Sequence, residues 1–249
     1  MAGHSKWANI RHRKARQDAR RGRAWSKCSR AIIVAAKNGG GDPAANLTLR
    51  YAIDEARAEN MPKDTIDNAV KKGCGELEGV SYESVIYEGY GPCGVAMMLD
   101  ILTDNRNRTS SDIRFIFDRH NGSLGAAGCV SYLFTPKGQM FVAKADTDEE
   151  SLMAVALEAG AEDIADDGDD WQILCELSDY ITVRENLDAA DVKYHGAAMI
   201  MSPATTVAVA GKDVEKIINL IEALEDNDDV QKVHSNVEIP DEELAKIES

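Results

Sequence analysis

The first 30 residues carry a concentration of positive charge that the rest of the chain does not share. The basic residues are Lys6, Arg11, Arg13, Lys14, Arg16, Arg20, Arg21, Arg23, Lys27 and Arg30, and Asp18 is the only acidic residue among them. This segment, the basic arm, therefore carries +9 in a chain whose formal net charge is −15. Such a segment repels itself unless an anion neutralises it, and nucleic-acid phosphates are the commonest partner able to do so.

Flat rings interrupt the basic arm. Trp7, His12 and Trp25 can stack on unpaired bases, so we expect the arm to bind nucleic acid. The alternative is a solvated basic tail without a specific ligand. The acidity of the remaining chain favours nucleic acid, because an acidic body has to meet a phosphate backbone through its basic end.

The composition excludes several functional classes. The five cysteines form no C-x-x-C pair and the five histidines are scattered, so we expect no disulfide framework, no metal and no cofactor. No serine or cysteine has a histidine nearby in a nucleophilic arrangement, and we expect a protein that is not an enzyme. The N-terminus lacks a signal-peptide core and the apolar runs are too short to span a bilayer, which predicts a cytoplasmic protein.

The N-terminal third has the pattern of a small helical domain. A helix is predicted over 13–37, ending at the glycine run that follows Asn38. A second helix is predicted over 46–59, capped by Asn46, with Leu49, Ala52, Ile53 and Ala56 forming its buried stripe. A third begins after Pro62 and ends at Gly73. Three short helices offer little core, so we expect them to dock on another part of the molecule.

The remaining chain alternates between strands and helices. Strands at 82–88 and 94–102, a helix at about 109–120 and a strand at 129–134 form one ββαβ group, with the loop Gly89–Gly94 as a turn. A second group has the ferredoxin-like order βαββαβ, with strands at 139–144, 162–166, 170–176 and 197–202 and helices at 148–160 and 179–191. A strand at 205–210, a helix at 212–225 and a strand at 229–236 would complete the first group, which predicts an insertion.

These elements predict an α+β fold, with an N-terminal helical domain and two ferredoxin-like α/β sandwich domains, one inserted in the other. The expected domains are a basic helical domain with its arm (1–78), a discontinuous α/β domain (79–137 with 203–240), an inserted ferredoxin-like domain (138–202) and an acidic tail (241–249).

Two further stretches admit a functional and a structural interpretation. Arg106 and Arg108 are predicted on a loop just before a helix that Thr109 or Ser110 caps, where guanidinium groups and free N–H groups suit a phosphate. Equally, neighbouring aspartates can pair with these arginines and fix the turn. The acidic stretch Asp166–Asp170 lies between two predicted strands, and we interpret it as a solvated hairpin tip rather than a cation site.

Several motifs together resemble one family. They are AGHSKWANIRHRKARQDARRG (2–22), NGGGDPAAN (38–46), ENMPKDTIDNAVKKG (59–73), EGYGPCGVA (88–96), LTDNRNRT (102–109) and CVSYLFTPKG (129–138). In this order they resemble the YebC/PmpR proteins, which include the mitochondrial translational activator of cytochrome oxidase. Two positions depart from the family pattern. Cys93 stands where a glycine is expected, and Cys74 stands where a threonine is usual.

The resemblance implies a three-domain fold with the third domain inserted in the second, and a cytoplasmic, non-enzymatic regulator of gene expression. Members are commonly labelled DNA-binding transcriptional regulators, and others act on the ribosome. The predicted nucleic-acid-binding residues are Lys6, Trp7, Arg11, His12, Arg13, Lys14, Arg16, Arg20, Arg21, Arg23, Lys27, Arg30, Lys63, Arg106 and Arg108.

Three functional hypotheses follow. The first is an RNA- or ribosome-directed translation factor, because a flexible arm with stacking groups suits irregular RNA. The second is a DNA-binding transcriptional regulator, although the sequence has no helix-turn-helix, homeodomain or zinc-finger signature. The third is a protein-interaction adaptor whose acidic domains bind basic partners. The expected partner is nucleic acid, rRNA or DNA, with no membrane and no small-molecule substrate, and the expected state is a monomer.

Overall fold

The computed structural model describes residues 17–240 and Glu243, with side chains from Gly22 onward. Three helices come first: α1 (Gln17–Gly39), α2 (Leu47–Ala58) and α3 (Lys63–Gly73). The Asn46 side chain caps α2 by accepting the N–H of Leu49 at 3.1 Å, as predicted. The predicted stripe of α2 is buried and packs with Ile32 of α1 and Ile66 of α3. The predicted start of the first helix, at residue 13, lies outside the described residues.

The first sheet is antiparallel, with the strand order β3-β1-β2-β9. Its strands are β1 (Glu83–Tyr90), β2 (Ala96–Thr103), β3 (Ser123–Leu124) and β9 (Val230–Ser235). Helices α4 (Arg106–Arg119) and α7 (Lys212–Glu225) cover one face, and their apolar side chains share one buried core with Met97 and Leu99 of β2. This arrangement is one α/β sandwich.

The second sheet is also antiparallel, with the order β5-β6-β4-β7. Its strands are β4 (Phe134–Ala143), β5 (Ala161–Asp167), β6 (Asp170–Glu176) and β7 (His195–Pro203), and its helices are α5 (Glu149–Glu158) and α6 (Tyr180–Ala189). In order along the chain these elements are βαββαβ, and the sheet order is that of a ferredoxin-like domain.

The first sandwich is built from two separate stretches of the chain. β9 pairs with β2 in the first sheet, with Met98 opposite His234, although the whole second sheet lies between them in sequence. One ferredoxin-like unit is therefore inserted into the other, as predicted. The predicted strand at 205–210 is shorter than expected. It is β8 (Val207–Ala208), which pairs in parallel with β10 (Val237–Glu238) in a separate two-stranded sheet.

The prediction of a strand over 129–134 was wrong, and the cause is a buried carboxylate. Glu88 accepts the N–H groups of Gly128 (2.7 Å), Val130 (2.8 Å) and Ser131 (2.8 Å). Burial opposes the charged form of Glu88, but these three hydrogen bonds outweigh that effect and its pKa is lowered. Because the N–H groups are taken by a side chain, they cannot join a sheet. The segment forms a 3₁₀ turn (Ser131–Leu133), and the strand begins at Phe134.

The loop predicted over Gly89–Gly94 is shorter in the structure, because Gly89 and Tyr90 belong to β1. The turn is a 3₁₀ segment (Pro92–Gly94), in which Cys93 occupies an unusual conformation. Its φ is 61°, in the left-handed region that favours glycine. A glycine, which the family resemblance leads one to expect here, would adopt this backbone conformation without strain, whereas the side chain of Cys93 makes it sterically unfavourable.

The helical unit docks on both sandwiches, as its small core requires. The ring of Tyr51 on α2 meets that of Tyr180 on α6 edge to face, with a centroid distance of 5.7 Å. Lys232 Nζ on β9 lies 3.6 Å from Glu55 Oε1 on α2. In the part of the chain that the structure describes, no helix is long and apolar enough to cross a membrane.

Candidate nucleic-acid interface

Three basic side chains of α1 face the turn that connects α7 to β9. We name residues 225–229 of this turn, Glu-Asp-Asn-Asp-Asp, the acidic turn. Arg23, Lys27 and Arg30 are spaced four and three residues apart, so they lie on one face of α1. Arg23 Nη1 donates to Asp226 Oδ1 at 2.6 Å, and Lys27 Nζ donates to the carbonyl oxygen of Glu225 at 2.7 Å.

Arg30 makes the deepest contact with the acidic turn. Its Nη1 donates to Asp229 Oδ1 at 2.8 Å and also to the carbonyl oxygen of Asp228. The side chains of Arg30 and Asp229 are only 17% and 7% exposed, whereas those of Arg23 and Asp226 are 42% and 67% exposed. Burial strengthens the Arg30 contact because less water screens the charges, while the Arg23 contact is a surface ion pair of small energy.

Asp229 joins three parts of the molecule. Arg108 Nη2 of α4 lies 2.7 Å from Asp229 Oδ2, and the Thr109 hydroxyl donates to the same oxygen at 2.7 Å. Thr103, at the end of β2, lies 3.3 Å from Oδ2 through its hydroxyl. With Arg30 bound to Oδ1, one carboxylate links α1, α4 and the first sheet.

The environment of Asp229 favours its charged form. Burial raises the pKa of this carboxyl, but the hydrogen bonds from Arg108 and Thr109 and the charges of Arg108 and Arg30 outweigh burial, so the pKa is lowered overall. The Arg108 guanidinium is stabilised reciprocally, and its pKa is raised by the hydrogen bonds to Asp229 and Asp104. The contact is a pair of charge-assisted hydrogen bonds at a partly buried junction.

The structure corrects the predicted position of Arg106 and Arg108. Both lie in the first turn of α4 rather than on a preceding loop, because Asn105 caps the helix by accepting the N–H of Arg108 at 3.1 Å. Thr109, one of the two predicted caps, is fully buried against Asp229 instead. Arg108 also contacts Asp104 at 2.8 Å, so the structural interpretation of this arginine holds. Arg106 is exposed and lies 3.8 Å from Glu83.

Most of the other predicted residues lie outside the described part of the chain. Lys6, Trp7, Arg11, His12, Arg13, Lys14 and Arg16 lie outside the described residues, as do the side chains of Arg20 and Arg21, whose backbone belongs to α1. Lys63 is exposed at the first position of α3. Trp25 does not offer its ring for base stacking, because it packs against the helical core and donates its indole N–H to the carbonyl oxygen of Glu59 at 3.0 Å.

An open cavity of about 730 Å³ lies where α1, α4 and the acidic turn meet. Its wall carries both signs of charge, with Arg23, Arg30 and Arg108 opposite Asp104, Asp112 and the acidic turn. Such a surface does not suit an apolar ligand. Among the residues of known placement, no group of His, Cys, Asp or Glu could hold a metal ion.

The sequence analysis missed the acidic turn and the threonines beside it. The signal was present as four acidic residues that begin with the last residue of the amphipathic helix α7, in a chain whose basic residues concentrate at the other end. Acidic residues are so common in this chain that this run did not stand out. Thr103 and Thr109 carry no pattern that predicts a contact 120 residues away or more.

The fold and the interface define a class of protein: an α+β chain in which a helical unit with a basic N-terminal helix packs on two ferredoxin-like sandwiches, one inserted in the other. Two family models match it. The TACO1/YebC protein N-terminal domain matches residues 5–76, and the TACO1/YebC second and third domain matches residues 82–237. The chain belongs to the TACO1/YebC family.

Individual relatives cover almost the whole chain. A probable transcriptional regulatory protein of Geobacter sulfurreducens is 51% identical over 247 residues, 99% of this chain and 100% of the relative. One from Persephonella marina is 51% identical over 249 residues, with 99% and 100% covered. The crystal structure of a conserved hypothetical protein from Aquifex aeolicus is similar at 46% identity and a TM-score of 0.80, covering 90% of this chain and 93% of that one.

Proposed function

We propose that this protein is a non-enzymatic, nucleic-acid-binding regulator of gene expression, and that it acts as an RNA- or ribosome-directed translation factor through its basic arm. The observation that carries the proposal is the distribution of charge along the arm. Arg23, Lys27 and Arg30 are engaged with the acidic turn, but seven basic residues against Asp18 alone precede Arg23, a net charge of +6. This upstream part is the polyanion-binding element of the proposal.

The acidic body supports the same arrangement. Residues 138–202 contain sixteen acidic and three basic residues, a net charge of −13. This unit repels a phosphate backbone, so nucleic acid approaches from the basic end. We also propose the domain organisation predicted above, which the pairing of β9 with β2 across the inserted unit supports. The inserted unit extends from Phe134 to Pro203 rather than from 138 to 202, because β4 pairs with β7 over that whole length.

A second candidate function is a DNA-binding transcriptional regulator. The names of the relatives from Geobacter and Persephonella favour it, since both are called probable transcriptional regulatory proteins. RNA stays the first candidate because its irregular single-stranded parts suit an arm with rings at Trp7 and His12. Binding that depends on charge alone would not distinguish the two, so the test has to compare both nucleic acids.

The experiment measures affinity for structured rRNA and for duplex DNA of equal length across a salt series. If the proposal holds, rRNA binds more tightly, with a steep dependence of log K on log salt. Replacing Arg11, Arg13, Lys14 and Arg16 by glutamine should reduce that slope by roughly 3 to 4 units. The matched control removes four exposed charges elsewhere, at Lys71, Lys72, Lys193 and Lys212.

Ribosome co-sedimentation completes the test. The full chain should sediment with ribosomes, and a variant lacking residues 1–21 should not. Tighter binding to duplex DNA than to rRNA would assign the DNA function instead. Unchanged binding after the deletion would show that the arm is not the binding element and would favour the adaptor hypothesis.

A further inference from the structure

Phe115 is far more exposed to solvent than the other phenylalanines of this chain. Phe115 on α4 is 63% exposed, whereas Phe117, Phe134 and Phe141 are 0%, 8% and 4% exposed. α4 buries Ile113 and Phe117 against the first sandwich, and Phe115 lies on the opposite, outward side of the helix. An exposed phenyl ring on a rigid helix has a hydration cost that a partner would relieve.

Two arginines flank this ring. Arg114 precedes Phe115, and Arg119 follows it by four residues, one helical turn away. Both are exposed, and within residues 22–240 neither guanidinium pairs with a carboxylate. The other two arginines of α4 already face acidic residues, since Arg106 lies near Glu83 and Arg108 binds Asp104 and Asp229. Within residues 22–240, Arg114 and Arg119 are therefore the arginines of this helix that remain for an external anion. The surroundings of Phe115 therefore favour an anionic partner.

The ring is also close to the candidate interface. Arg108 precedes Phe115 by seven residues, which places both on the same side of α4 about 10 Å apart along the axis. Arg108 lines the open cavity together with Arg23 and Arg30 of α1, and Asp112, one turn before Phe115, lines it too. Phe115 therefore lies on the side of α4 that borders the candidate interface.

We infer that Phe115 is a stacking platform for an unpaired base of RNA, with Arg114 and Arg119 contacting the adjacent phosphates. The inference rests on the proposed function and makes it more specific. A phenyl face stacks on any base that is free of its own neighbours, whereas bases in a duplex are already stacked. The platform would therefore favour single-stranded segments over duplex, and it accounts for an exposed ring beside two exposed arginines.

The test compares the wild type with Phe115→Ala for binding of a short oligoadenylate and of a duplex RNA of equal length. We expect affinity for the single strand to fall roughly 5- to 100-fold and affinity for the duplex to change less than about 2-fold. Since the side chain is exposed and alanine favours helix, the variant should fold normally. Phe115→Trp should restore binding, and Phe115→Leu, which keeps an apolar side chain without a ring face, should not.

Tyr132→Ala is the matched control, because Tyr132 is 73% exposed but has no arginine beside it in sequence. Equal losses from Tyr132→Ala and Phe115→Ala would overturn the inference, as would full binding by Phe115→Leu. Unchanged single-strand affinity in Phe115→Ala would also overturn it, and would favour another protein as the partner of this ring. If deletion of the arm has no effect while Phe115→Ala weakens binding, the proposed role of the arm fails and the platform stands.

Discussion

Two five-residue turns of this protein are nearly identical in composition and differ in what surrounds them. The acidic turn Glu225–Asp229 and the hairpin turn Asp166–Asp170 each contain four acidic residues and one small or amide residue. The first receives three arginines, a lysine and a threonine from two other helices. The second connects β5 to β6, where Lys144 Nζ lies 2.7 Å from Asp166 and His195 Nε2 lies 3.4 Å from Asp170.

The difference shows that the partners, not the acidic residues themselves, give such a turn its role. Asp229 lies at a junction and is 7% exposed at its side chain, so its contacts are screened little by water. Asp166 is 69% exposed at its side chain, and its lysine contact contributes little. The hairpin turn is not wholly solvated as predicted, because Asp167 is buried. It nevertheless contacts side chains of its own domain, whereas the acidic turn binds side chains of α1 and α4, which are far away in sequence.

Replacement of Asp229 by alanine should have the largest effect. The substitution leaves the Arg30 and Arg108 guanidinium groups without their shared carboxylate, and we expect the free energy of unfolding to fall by about 3 kcal/mol. Urea titration followed by tryptophan fluorescence measures it. The control is Asp228→Ala, since Asp228 is exposed and meets Arg30 only through its main-chain oxygen. A loss of similar size in the control would refute the role of the Asp229 carboxylate.

Acid should weaken the same junction. The pKa of Asp229 is lowered in the folded protein, so its contribution to stability is complete above its ordinary pKa of about 4 and is lost as the pH falls through the folded value. The stability difference between the wild type and Asp229→Asn should therefore shrink between about pH 6 and about pH 3. Chemical unfolding at a series of pH values tests this. A difference that grows on acidification contradicts the assignment.

Asp226→Asn should have a small effect on stability, below about 1 kcal/mol, because the Arg23–Asp226 pair is exposed. The same substitution should have a larger effect on the salt dependence of rRNA binding. Release of Arg23 adds one cation to the basic arm, so the slope of log K against log salt for rRNA should steepen by about 1 unit. Salt-dependent binding measures it. An unchanged slope would mean that Arg23 stays unavailable to nucleic acid even without its partner.

Asp166→Asn should have the smallest effect, below about 0.5 kcal/mol. The amide oxygen can still accept the N–H of Gly168, which Asp166 accepts at 3.1 Å, so only the ion pair with Lys144 is lost. Thermal unfolding and the salt slope for rRNA should both match the wild type. A loss comparable with that of Asp229→Ala would show that composition, not the surrounding structure, sets the importance of an acidic turn.

The sequence by itself predicted most of the elements, because their signals are local. The helix that Asn46 caps and the βαββαβ order of the inserted unit depend on periodicity and on residues a few positions apart. Two of the errors in element boundaries have different causes. Glu88 takes N–H groups about 40 residues away, so a distant side chain decides where the strand begins. The helix begins earlier than predicted because the neighbouring Asn105 caps it, while Thr109 turns inward to Asp229.

The charge of the basic arm was also determined by the sequence, but which of its residues are engaged within the molecule was not. Arg23, Lys27 and Arg30 meet residues about 200 positions away, and only the packing of α7 and β9 on the first sheet brings those residues to α1. Formal charge is a property of composition. Its neutralisation depends on distances between side chains and on burial, and these are set when the chain has folded.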